Sequence, residues 1–291
     1  ATSMLDLATD IYVTAMFKGG GKEGYFQASI ASITVSMGIQ LLTIWGQNKG
    51  VGWKKVLRES LPVLIGFKPA LDAYRVVTEV EQVKGQNLDP LLEMAYMKMI
   101  EMFAEAIPGV IIQMMAISTS TEEVGTSSWV SVIISVFTTG FISATISYDW
   151  DTSPEKRLRK PDFYGFIPAA GYKRVLVFAT MLTISGGMLV IRSMSIVLLG
   201  LMGRIWAFGY VSADVGLYLL IKSLRGDSRY WLPVGGAAEI ANSIIQRIIA
   251  KIVTDFTSLV QLRHPQELGG VSWLSSLFVA MVSLPVVIKI S

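Results

Sequence analysis

Apolar runs long enough to cross a bilayer, about 20 residues each, dominate this chain. Three of them carry no charge: residues 24–48, 124–148 and 268–288. Others are broken by single charges. The run 106–121 extends backward through Glu105, Glu101 and Lys98, and 175–191 continues past Arg192. Residues 205–221 carry only Asp214, whereas 231–260 carry Glu239, Arg247, Lys251 and Asp255. The opening stretch 4–17 holds Asp6 and Asp10 and lacks the basic start of a signal peptide. The pattern predicts an all-α polytopic transmembrane helix bundle of about eight spans: 1–17, 25–47, 91–117, 128–148, 172–198, 203–222, 232–259 and 268–289.

The connecting segments test this layout. If 49–88 lies on one side, so do 149–174, 222–231 and both termini. That side then holds 17 of the 25 lysines and arginines, the other side 4, and the spans the remaining 4. Such asymmetry places the basic side in the cytoplasm. In 49–88, Trp53, Leu57, Leu61 and Leu64 recur at helical spacing with Lys and Arg between them. Two short helices lying in the interface are expected there, against the alternative of an ordinary loop. Segment 149–174 combines Tyr148-Asp149-Trp150-Asp151, a basic cluster, Phe163-Tyr164 and Pro168, the usual anchors of a helix end at the interface. No repeat or composition break divides the chain, so 1–291 reads as a single integral-membrane domain.

Composition agrees. Of 291 residues 52% are hydrophobic and only 16% charged, against about 25% charged in soluble domains; mean hydropathy is +0.52. The net charge of +3 is too mild and scattered to imply nucleic acid, and fits loops beside anionic lipid. Cysteine is absent, and the one histidine is His264. Thiolate or bis-histidine metal and haem centres are therefore excluded, and no cofactor is expected.

Charges within spans cost about 2.5–3.5 kcal/mol each on insertion scales and face the bundle interior. Asp6 and Asp10 share one helical face, as do Lys98, Glu101 and Glu105. Arg192 stands alone, and Asp214 lies one turn from both Tyr210 and Tyr218. Glu239, Ser243, Arg247, Lys251 and Asp255 step by four along the seventh helix. One reading is structural pairing, for instance of Arg247 or Lys251 with Asp10 or Glu105. The other, favoured by the number of charges, is a polar furrow for water, ions or lipid headgroups. Its expected residues are Asp6, Asp10, Glu101, Glu105, Arg192, Asp214, Glu239, Arg247, Lys251 and Asp255. Ser185-Gly186-Gly187 and Thr138-Thr139-Gly140 suit close helix packing. Nucleophile-elbow, Walker and zincin motifs are all missing, so no enzyme activity, catalytic residue or metal site is expected.

The first half also resembles the XK-related family of membrane proteins. The resemblance rests on Leu5-Asp6-Leu7-Ala8-Thr9-Asp10, on Gln40-Leu41-Leu42 followed by Trp45, and on Glu105-Ala106-Ile107-Pro108 followed by Ile112-Gln113-Met114. Tyr148-Asp149 then closes a helix. Gly109 stands where that family has glutamine, and the match covers residues 4–150. Several members are plasma-membrane phospholipid scramblases. The resemblance thus implies ATP-independent lipid scrambling, membrane lipids as partners, and Asp6, Asp10 and Glu105 on the polar path. It points to the plasma membrane, with an organelle membrane left open. An ion channel or secondary transporter, and a structural subunit of a larger membrane complex, stand as alternatives.

Overall fold

The computed structural model describes residues 2–78, 80–86, 88–120, 125–159, 161–168, 170–224 and 239–259. Among these residues the regular structure is helical: α1 (Thr2–Gly19), α2 (Glu23–Asn48), α3 (Trp53–Leu64), α4 (Lys68–Val77), α5 (Pro90–Glu101), a π-helical turn (Met102–Ala106), α6 (Ile107–Ser118), α7 (Thr126–Thr152), α8 (Pro154–Arg159), α9 (Gly171–Met202), α10 (Arg204–Leu224) and α11 (Glu239–Thr257). Among the described residues five helices are long and apolar enough to cross a membrane: Glu23–Asn48, Pro90–Ser118, Thr126–Thr152, Gly171–Met202 and Arg204–Leu224.

The helices expected at 1–17 and 232–259 form as α1 and α11, but neither is among those five. Three charges in 18 residues of α1 (Asp6, Asp10, Lys18) and four in 19 of α11 (Glu239, Arg247, Lys251, Asp255) dilute their apolar character. The eighth expected span, 268–289, and His264 lie outside the described residues.

Local chemistry explains the breaks. Asp89 caps α5 by accepting the Leu92 N–H at 2.9 Å, and Pro90 takes the first helical position, where its missing donor costs nothing. The turn between α3 and α4 passes through Gly66 at φ +70°, with the Leu7 side chain 2.5 Å from where a Cβ would stand.

The span Pro90–Ser118 is interrupted at its middle. Pro108 has no N–H, so the Ala104 carbonyl loses its normal helical donor four residues on. Ser32 of α2 supplies the replacement, donating to Ala104 O at 2.6 Å. The freed turn relaxes into the π-helical segment that carries Glu105.

The chain divides into two compact units, residues 1–116 with 122–138, and residues 117–121 with 139–291. In the first, α1 packs on α2, and α2 on α3 and on the π turn. Segment 49–88 holds the two short helices expected of it, α3 and α4, turned inside out relative to a soluble protein. Trp53, Leu57, Leu61, Leu64, Tyr74 and Val77 are exposed, while Glu59, Lys68 and Asp72 are buried. An apolar face aimed outward over a charged interior is the arrangement a lipid solvent favours.

That buried face is an ion network. Lys68 donates to Asp72 Oδ1 at 2.5 Å and Glu93 Oε1 at 2.7 Å, and lies 3.6 Å from Glu59. Arg75 grips Glu59 with two bonds of 2.8 and 2.7 Å. Gln47 donates to Glu93 at 3.3 Å, joining the end of α2 to the start of α5. Burial acts to raise the Glu59 carboxyl, but hydrogen bonds from Arg75 and Lys55 outweigh it and hold it down at about 2. Burial pushes Asp72 up to about 6 against the pull of Lys68. Burial would lower the Lys68 ammonium, but Asp72 and Glu93 raise it above its ordinary value.

In the second unit α9 packs against α10 and α11. A Cβ on Gly140 would stand 2.9 Å from Leu182 O and 3.3 Å from Gly186 N, so α7 and α9 touch backbone to backbone there. This is the close packing expected of Thr138-Thr139-Gly140 and Ser185-Gly186-Gly187.

Candidate functional site: an acidic crevice

The ten charges singled out from the sequence separate into two groups. Asp6, Asp10, Glu101 and Glu105 belong to the first unit; Arg192, Asp214, Arg247, Lys251 and Asp255 belong to the second. Glu239 opens α11, but its side chain lies outside the described residues.

In the first unit the two acidic faces meet. Asp6 and Asp10 are buried on α1. Asp6 Oδ1 accepts from Ser135 Oγ at 2.6 Å, and Asp10 Oδ1 from Gln113 Nε2 at 2.9 Å. Glu105, on the π turn, lines the same crevice as Asp10. Lys98, the one basic residue in Pro90–Ser118, is already engaged: it donates to Glu101 Oε2 at 2.6 Å and to Ser3 Oγ at 2.5 Å. Among the described residues no basic side chain forms an ion pair with Asp6, Asp10 or Glu105.

The crevice is lined by Asp10, Val13 and Thr14 of α1, Ser29, Ser32 and Ile33 of α2, and Glu105, Gly109 and Gln113 beyond. Gly109 of α6 faces Asp10, whose Oδ2 would lie in ordinary contact, 3.6 Å, with a Cβ at that position. Gln113 is 4% exposed; its amide nitrogen is spent on Asp10, and its Oε1 has no partner.

In the second unit Lys251, Asp214 and Asp255 are paired. Lys251 donates to Asp255 at 2.6 Å and also to Asp214, with the Tyr218 ring centroid 5.7 Å away. Its partners are the neighbour one turn along its own helix and the acid on α10. Arg192 donates to Tyr210 Oη at 2.8 Å. Tyr210 and Tyr218, which flank Asp214 in sequence, thus each meet a cation.

Two polar features escaped the sequence reading. One is the buried network around Lys68. The other is a ladder on α7: Ser131, Ser135, Thr139, Ser143, Ser147 and Asp151 are all buried at four-residue spacing. The spacing was visible in the sequence, but the run holding most of it is free of charge and so reads as plain span. Asp151 closes the ladder by accepting the N–H groups of Gly165, Phe166 and Ile167 at 3.0, 3.3 and 2.8 Å, which ties down segment 149–174. The described residues hold no group of His, Cys, Asp and Glu side chains suited to a metal ion.

Comparison with protein-family models, curated proteins and solved structures finds no match to this chain.

Proposed function

We propose that this chain is an XK-related-like membrane protein that moves phospholipid between leaflets without ATP. It works as an eight-span bundle with both termini on the cytoplasmic side of the plasma membrane. The observation that carries the reading is the crevice of the first unit, where the buried Asp10 and the half-buried Glu105, neither in an ion pair among the described residues, sit among serine and threonine hydroxyls. Carrying a headgroup through hydrocarbon is opposed by the loss of its hydration. A polar, charged crevice inside the spans replaces part of that hydration while the acyl chains remain in lipid. The paired charges of the second unit have a structural role in this scheme, because Lys251 already has its counterions.

The unneutralised carboxylates also favour a second reading, a channel or secondary transporter for cations. One experiment separates the two. Purified protein in liposomes is assayed for fluorescent-lipid translocation with ion flux measured in parallel. Lipid movement that is lost in Asp10→Asn and Glu105→Gln, both still folded, supports scrambling. Ion flux without lipid movement selects the transporter. Full lipid movement in both variants removes the crevice from the mechanism.

A further inference from the structure

The crevice has a chemical preference that lipid movement alone does not require. Its ionisable lining is purely acidic, Asp10 and Glu105, while Lys98 donates to Glu101 and Ser3. Its other polar walls are Thr14, Ser29, Ser32 and Gln113. The Ser32 hydroxyl hydrogen is already committed to Ala104 O. Gln113 is independent evidence of a missing donor. It is buried to all but 4%, lines the crevice, and leaves Oε1 unsatisfied. Its amide nitrogen donates to Asp10 Oδ1 at 2.9 Å, which leaves the amide oxygen as the end without a partner. Buried acceptors of this kind almost always have a partner.

The guest that completes this site donates a hydrogen bond to Gln113 Oε1, and the two acidic side chains of the lining favour one that carries positive charge. Size narrows it further, because the enclosed part of the crevice has room for about one water-sized group. A primary ammonium is that size, and offers three donors. A trimethylammonium is several times larger and offers none. A phosphate is excluded by charge.

We propose that the crevice is a binding site for a primary ammonium group, carried by an aminophospholipid headgroup or by a free amine. The lipid form of this inference rests on the scrambling function proposed above; the ammonium site itself does not.

Two measurements test it. Thermal melting of the full chain in detergent is followed with methylammonium chloride, tetramethylammonium chloride and sodium chloride at equal ionic strength. Methylammonium alone should raise the melting temperature, and Gln113→Leu should remove the effect. Ser29→Val, which narrows the crevice while sparing the Asp10–Gln113 bond, serves if Gln113→Leu does not fold. In liposomes, phosphatidylethanolamine should cross several-fold faster than phosphatidylcholine, with its N-methylated forms in between, and the ratio should fall toward one in the same variants.

A selective melting shift with equal lipid rates identifies a free amine as the guest. A selective shift with no lipid movement keeps the ammonium site and removes the scrambling function. Equal response to all three salts overturns the ammonium site, and if lipid still moves in that case, the function stands without it.

Discussion

Replacing Lys68 with methionine should unfasten segment 49–88. Lys68 is 1% exposed and lies within 4 Å of three carboxylates: Asp72, Glu93 and Glu59. Methionine fills much of the same space but removes the charge. Glu59 keeps its two-bond partner Arg75, whereas Asp72 retains only an Arg75 contact at 3.9 Å and Glu93 only Gln47. Breaking a buried ion cluster from one side costs about 3–5 kcal/mol, because the orphaned charges stay desolvated.

The loss should depend on pH with a definite sign. Burial already lifts Asp72 to about 6 with Lys68 present. A carboxyl raised above its unfolded value destabilises progressively as pH climbs from about 4 toward 6, and the full penalty persists above that. Without Lys68 it should rise further, so the variant should be much weaker than wild type at pH 8 and approach it near pH 5. Glu59, held at about 2, behaves oppositely: its contribution is full above about 4.5 and fades as pH falls toward 2. Thermal melting in detergent at both pH values measures this, with an expected drop at pH 8 on the order of 10 °C. A variant that melts within about 1 °C of wild type at pH 8 would refute the buried network.

Ser32→Ala should destabilise by about 1–2 kcal/mol, since it orphans the Ala104 carbonyl. Adding Pro108→Ala should restore the helical donor and recover most of that loss, and a double-mutant melting cycle that proves additive would exclude the exchange of donors. Gly140→Val should cost about 1–3 kcal/mol or more, because its Cβ would press on the Leu182 backbone at 2.9 Å; wild-type melting of this variant would mean that α7 and α9 do not touch there. Single cysteines at Gln82 and Ser120 should label from opposite faces of the membrane, as the basic asymmetry requires, and labelling from one face would break the eight-span topology.

What could be read in the sequence was whatever depends on neighbours along one helix. Twenty apolar residues in a row must bury their backbone in lipid as helix, so α2 and α7 were legible, and so were α9 and α10, each broken by a single charge, and α5 with α6 as one stretch. The spacing of Trp53, Leu57, Leu61 and Leu64 marked α3 as amphipathic, and the cost of charge in hydrocarbon singled out Asp6, Asp10 and Glu105 as inward-facing. Partners were another matter. Lys68 meets Glu93 across 25 residues, Asp6 meets Ser135 across 129, and Asp10 meets Gln113 across 103. No local period encodes such distances. The π turn under Glu105 also needed the fold, because Pro108 frees a carbonyl in any context but only Ser32 on a neighbouring helix satisfies it. Tertiary packing likewise decided which charges are spent. Lys251 found two carboxylates within its own unit, whereas Asp10 and Glu105 found hydroxyls and an amide. Ion pairing is short-ranged and directional, so which buried charge stays open to a guest follows from helix placement rather than from the order of residues.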